Sequence, residues 1–169
     1  NAITTDEQAK FIESIAEDSI HGIIYFATTL DLFAARIIDG VPSKPEFILS
    51  TPRGYFQSLQ YSQTGLWASN RYHVYLINDN KVARQWDFEN EGRFIFDLFV
   101  DSNENVWFSQ DGSREAKCIT KDFQIKRFAV PVGPGNGVNV IRESKEGILA
   151  GSPGTGNYLF IKAHTASIV

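Results

Sequence analysis

RFIFDLFVDSNENVWFSQDG, residues 93–112, decides the fold. A run of apolar side chains, FIFDLFV, gives way to four short polar residues at 101–104, and then NVWFS resumes with Trp107 at its centre. That pattern is strand, turn, strand, an inner hairpin. The nearly continuous apolar character of its first half predicts a strand buried on both faces. Beyond the loop at 110–114, EAKCIT and FQIKRFAV meet at a tight corner formed by Lys121 and Asp122 and supply a second hairpin, so that four strands are complete by about Val130.

The same unit recurs on either side. FIESIAEDSIHGIIYFATT (11–29), YFQSLQYSQTGLWASN (55–70) and GVNVIRESKEGILAGSPG (137–154) each run apolar strand, polar turn, second strand with an aromatic or small apolar centre, and small polar exit. Gly22, Gly65, Asn105 and Gly147 share the turn slot at spacings of 43, 40 and 42 residues. A strand-built period of about 40 to 45 residues is the signature of a β-propeller with one four-stranded blade per repeat. The expected fold is therefore all-β, a β-propeller or part of one, with about four blades of four antiparallel strands. The blades fall at about 11–53, 54–92, 93–135 and 136–169 after an N-terminal segment, 1–10. In the second blade Asn78, Asp79 and Asn80 supply an outer turn whose short polar side chains tolerate left-handed backbone; in the first, the outer hairpin is lengthened between Asp39 and Pro45. Thr5 and Gln8 have capping-box spacing before an apolar run, a helix-start signature, but the register of Ile15, Asp18 and Gly22 with the later repeats favours a strand from Phe11. The first and fourth blades are expected to present faces that further blades or a second chain would cover.

Composition narrows the function. The 169 residues are 43% hydrophobic, enough for one domain with a buried core. A net charge of −4 without any basic run argues against nucleic acid as a partner. Cys118, the single cysteine, can form no internal disulfide or thiolate metal cluster and reads as packing. No stretch approaches the roughly 18 apolar residues of a membrane span, so this segment itself is expected to make no membrane contact. Asn1 and Ala2 in place of an initiator methionine read as the start of an excised piece, with a cloning scar in its first residues, from which an original leader or anchor could have been removed.

The run IESIAEDSIHGIIYFATTLDLF resembles the repeat of the two-component regulator propeller family, through Ile12, Ser14, Ile15, Glu17, Asp18, Gly22, Ile24, Ala27, Thr28 and Leu32. The third repeat is similar through Leu98, Asp101, Asn105, Val106 and Trp107, whereas Tyr25 stands where that family carries tryptophan and Asp31 where it carries glycine. The resemblance implies a periplasmic, ligand-binding sensor region of a histidine kinase or hybrid regulator, often one responding to saccharides. NVWFSQDGSREAKCITKDFQIKRFAVP is also similar to blades of virginiamycin B lyase-like propellers. That second likeness implies an enzyme with a histidine base and metal-holding carboxylates, and it keeps a lyase acting on a small cyclic or sugar substrate as the alternative. A protein-interaction propeller is the third.

Read from the residues, the chemical candidates are mostly structural. His21, His73 and His164 occupy different repeat positions, and as bases His21 and His73 lack a partner carboxylate in register. Tyr25, Trp67 and Trp107 share one slot, where aromatics pack blade against blade. Glu17, Asp18, Asp101 and Glu143 end inner strands, where carboxylates hold their own turns. VGPGNG and GSPGTGN lack the Lys-Ser/Thr pair and helix of a phosphate cradle and serve as blade connections. No catalytic residue, metal or cofactor is expected.

Strand alternation puts the loops between second and third strands at the same end as the blade-to-blade connections. That end gathers Asp31, Arg53, Asn70, Arg71, Tyr72, Glu91, Arg93, Asp111, Arg114, Asn136 and Asn157. Arg71, Tyr72 and Arg114, supported by Asp111, Asn70 and Arg53, are the expected ligand-binding residues, because one can stack and the guanidinium groups make forked hydrogen bonds to a saccharide or other small polar ligand.

Overall fold

The computed structural model describes residues 11–51, 54–130, 137–152, 158–162 and 165–168, with backbone alone at 158, 162 and 165–168. Four antiparallel sheets follow one another along the chain. Blade 1 comprises β1 (Ile12–Asp18), β2 (Ile23–Thr28), β3 (Asp31–Ile38), β4 (Val41–Pro42) and β5 (Glu46–Ser50), and blade 2 comprises β6 (Ser58–Ser62), β7 (Gly65–Ser69), β8 (His73–Asn78) and β9 (Lys81–Asp87). Blade 3 holds β10 (Ile95–Val100), β11 (Val106–Gln110), β12 (Glu115–Ile119) and β13 (Ile125–Ala129); blade 4 holds β14 (Val140–Ser144), β15 (Gly147–Gly151), β16 (Tyr158–Lys162) and β17 (Thr165–Ile168). Blades 2 to 4 are simple meanders in chain order. In blade 1 both β4 and β5 lie against β3, because left-handed Asp39 and Gly40 reverse the chain into β4 before it rejoins β3 as β5. The region after Phe11 is strand, as the shared register requires.

The blades stack face to face through the slot that the repeat marks. Tyr25 packs with Leu59, Leu66 and Ala68 of blade 2; Trp67 with Leu98, Val106 and Phe108 of blade 3; Trp107 with Ile141, Ile148 and Ala150 of blade 4. Each of these side chains is buried. Backbone-to-side-chain bonds add to the seam: the Leu59 amide donates to Ser14 Oγ at 3.0 Å and the Val100 amide to Gln60 Oε1 at 2.9 Å. Such bonds between blades fix register as well as supplying energy.

One local expectation is corrected. FIFDLFV is not buried on both faces: Ile95 and Leu98 are, but Phe96 is 53% exposed, because a register shift between Ile95 and Asp97 turns it outward. Lys121 and Asp122 do form the expected tight corner, closed by the Phe123 amide donating to the Thr120 carbonyl at 2.7 Å. β12 ends at Ile119 and β13 begins at Ile125, and Phe123 takes a left-handed backbone (φ 64°) that lays its ring against Trp86 of blade 2. The shared turn slot holds in register, since Ser62 pairs with Gly65, Ser144 with Gly147, and the Asp101 amide donates to the Asn105 carbonyl. In blade 3 an extra turn residue shifts the left-handed position to Glu104 (φ 64°). Asp79 and Asn80 are both left-handed, the backbone of a two-residue hairpin turn.

Candidate functional site

The turns joining first to second strands collect at one end of the blades, and there an open cleft of about 660 Å³ separates blades 3 and 4. That volume lies within the range of small-molecule sites, about 300 to 1,000 Å³. Its geometry begins with Asp101. One carboxylate oxygen accepts from the amides of Asn103 and Asn105, each at 2.9 Å, and the other accepts from the Trp107 indole N–H at 2.7 Å and the Asn105 side-chain amide at 3.0 Å. A single side chain thus fixes both the β10–β11 turn and the indole beneath it. Phe128 lies against that indole with ring centroids 5.3 Å apart. Ile148 and Ile161 complete the apolar floor from blade 4.

The rim is polar. Glu143 accepts from the Ser102 amide and hydroxyl, tying blade 4 to the turn of blade 3. This corrects the expectation that Glu143 holds its own turn: its slot reaches back to the preceding blade. Asn103, Lys126 and Lys145 stand around the mouth. Cys118 lines the floor, and burial, reinforced by the charge of Asp101, pushes its thiol up to about 12, so it remains a protonated, unreactive group. The lining includes no histidine, and among the described residues no group of three or more His, Cys, Asp or Glu side chains could hold a metal. The cleft offers apolar contact at its floor and hydrogen bonding at its rim.

At the opposite end the structure places the residues expected from the sequence in unequal roles. Asn70 is buried and holds its own turn: its carbonyl oxygen accepts from the Tyr72 and His73 amides, and its amide donates to Thr51 Oγ1 at 2.7 Å and to the Tyr75 hydroxyl at 3.2 Å. Arg71 and Tyr72 are brought together. The guanidinium lies over the rings of Tyr55 (4.5 Å) and Phe94 (4.3 Å) and donates to the Tyr55 hydroxyl, while Tyr72 meets Phe94 edge to face. Asp111 and Arg114 are exposed; the Asp111 carbonyl accepts from Arg93. Arg53, Asn136, Asn157 and His164 lie outside the described residues. Beside this end, Lys117 is 1% exposed and donates to Glu91 and Gln110, and Glu91 also receives Arg127 at 2.7 Å. Burial pushes the Lys117 ammonium below its ordinary value against the pull of Glu91.

The reading of the histidines is also corrected. His21 Nδ1 lies 2.7 Å from Asp18 Oδ2, and His73 Nε2 lies 3.7 Å from Asp87. Asp18 is buried, its other oxygen accepting from the Ile20 and His21 amides at 3.1 Å. Burial raises its pKa, but bonds from Tyr61 and His21 outweigh that and leave the carboxyl below its usual value; burial and the Asp18 carboxylate push the Tyr61 phenol up to about 12. The signal was present in the sequence as Asp-x-x-His within a polar turn, where the aspartate folds back on its own backbone.

No protein-family model matches the chain, and no curated protein sequence matches it. Solved structures do resemble it. Virginiamycin B lyase from Staphylococcus aureus aligns with a TM-score of 0.73 at 16% identity, over 95% of this chain and 56% of that one. The WD40 domain of Pan2 from Neurospora crassa aligns at 0.70 and 13% identity, over 99% of this chain and 51% of that one. The extracellular domain of a putative hybrid two-component system from B. thetaiotaomicron aligns at 0.68 and 12% identity, over all of this chain but 23% of that one. This chain thus spans about half or less of the length of each of these three. At these identities the likeness shows the fold, a stretch of β-propeller.

Proposed function

We propose that this chain is a non-catalytic, ligand-binding stretch of an extracytoplasmic sensor propeller in a two-component signalling protein, and that it takes a saccharide. The cleft between blades 3 and 4 carries this reading: an aromatic and apolar floor under a rim of Asn103, Lys126 and Lys145 suits a ring with a polar periphery. The likeness to the extracellular domain of a hybrid two-component system supports the sensor role and the periplasmic setting. The Arg71–Tyr72 platform is a second place for the same ligand, although the guanidinium there is already engaged between two rings. Calorimetry with an oligosaccharide panel tests the assignment. Binding weakened by Asn103→Ala and Lys126→Ala supports the cleft; binding weakened instead by Tyr72→Ala and Arg114→Ala moves the site to the other end, and no heat from any member counts against saccharide sensing.

A lyase-like enzyme is the second reading, favoured by the pairing of His21 with a buried carboxylate and by the lyase fold neighbours. One of those neighbours was crystallised with quinupristin. Turnover of quinupristin by this chain, abolished by His21→Ala, would support that reading, and its absence would remove it.

A further inference from the structure

We infer that the saccharide taken by the cleft between blades 3 and 4 is an acidic one, its carboxylate received by Lys126 and Lys145, an inference that rests on placing the ligand there. Register puts Lys126 over the floor. Trp107 on β11, Cys118 on β12 and Lys126 on β13 stand opposite one another in a single cross-strand row, on the face of blade 3 that meets blade 4. Lys145 comes from the other wall, in the turn after β14. The same row carries a polar residue on the outer strand of the two earlier blades, and in both it is engaged by the blade that follows. In blade 1 the row is Tyr25, Ala34 and Glu46, and Glu46 accepts from the Asn80 side chain of blade 2 at 3.1 Å. In blade 2 it is Trp67, Leu76 and Arg84, whose guanidinium lies 4.2 Å from the ring centroid of Phe123 in blade 3. Among the described residues no carboxylate or ring takes the Lys126 ammonium, and none takes that of Lys145.

The carboxylates at the same mouth are differently placed. Asp101 is buried, and both its oxygens accept hydrogen bonds from the turn and from the Trp107 indole. Glu143 accepts the Ser102 amide and hydroxyl. Such bonds hold both groups ionised but direct them at their own donors. Glu146, exposed beside Lys145, is the lining carboxylate that opposes an anionic ligand. A neutral sugar brings hydroxyls that donate as well as accept, whereas a carboxylate only accepts. Two ammonium groups and the Asn103 side chain at the rim favour the second kind of group. Lysine is a compact point charge without the planar fork of arginine, so it selects by charge. A uronic acid supplies that charge on a ring that fits the apolar floor; a sulfate ester is the other source of it.

Calorimetry with matched ligands on the 169-residue chain tests this. The probes are an oligogalacturonate and its methyl ester, a glucuronate-containing oligosaccharide and its glucose counterpart, and a sulfated oligosaccharide. The acid of each pair should bind about tenfold more tightly than its neutral partner, from two exposed ion pairs worth roughly threefold each. Raising sodium chloride from about 0.05 to 0.5 M should erase most of that preference. Lys126→Gln and Lys145→Gln should each weaken the acid by about threefold and leave the neutral partner unchanged, and Glu146→Gln should tighten the acid. All three side chains are exposed, and circular dichroism checks that the variants fold. Equal binding of acid and neutral members, or a preference that survives in both lysine variants, would overturn the inference; if Asn103→Ala still weakened both members, the cleft would remain a saccharide site. Tighter binding of the sulfated probe than of either uronate would overturn the carboxylate. Absence of heat from every probe would remove the saccharide from the cleft and the inference with it.

Discussion

Replacing Trp107 by alanine probes the joint on which both the fold and the cleft depend. The side chain is 5% exposed and packs among Ile141, Ile148 and Ala150 of the next blade. Deleting a buried tryptophan costs about 3 to 5 kcal/mol, transfer and cavity terms together. The indole N–H also bonds to a carboxylate at 2.7 Å, and a hydrogen bond to a charged group is worth about 1.5 to 3 kcal/mol. Asp101 keeps its bonds to Asn103 and Asn105 in the variant, so the turn survives and the loss falls mainly on the seam between blades 3 and 4. Trp107→Phe separates the two contributions: it retains most of the packing and forfeits the bond, predicting a loss of about 2 kcal/mol. Urea unfolding followed by far-ultraviolet circular dichroism measures both. A loss below about 1 kcal/mol for Trp107→Ala would refute the seam and make the indole a surface group.

Further expectations rest on other parts of the molecule. Asp18 and Glu104 have carboxyls held below their ordinary values, by bonds from Tyr61 and His21 and from Thr64 and Ser62, against the opposing effect of burial. Their stabilisation is therefore complete above the unfolded value of about 4 and is lost as pH falls through the lower folded values; Asp18→Asn should flatten that acid limb in urea titrations. Glu91→Ala strands the Lys117 ammonium in a buried site and should cost about 3 kcal/mol at neutral pH, with the penalty shrinking as pH rises and Lys117 loses its proton. Gly65→Ala should destabilise blade 2 by roughly 1 to 3 kcal/mol, because φ is +136° and the new Cβ would stand 2.8 Å from the Ile77 carbonyl oxygen; thermal melts provide the check.

The repeat was legible because the same physics acts four times. Register confines the turn slot, and the Tyr25, Trp67 and Trp107 slot is aromatic because it spans from one sheet to the next. Departures from the pattern lie where one blade differs from the others. Nothing in FIFDLFV marks the register shift that exposes Phe96, and a left-handed phenylalanine such as Phe123 runs against ordinary backbone preference; contact with blade 2 holds it there. The cleft was not visible at all. It arises where residues some 40 positions apart, such as Ser102 and Glu143, meet across two blades, and no pattern within one repeat records the space left between two. Arg71 and Tyr72 are neighbours in the chain, and nothing in that stretch marks the capture of the guanidinium by Tyr55 and Phe94.

Amide chemical-shift mapping during titration with the oligosaccharide that binds most tightly tests the central claim most directly. The cleft predicts perturbations concentrated in the two turns that frame it, at Ser102, Asn103 and Glu104 in blade 3 and at Ser144, Lys145 and Glu146 in blade 4, together with the Trp107 indole N–H. Shifts confined to Arg71, Tyr72 and Arg114, with those turns and the indole unmoved, would contradict it.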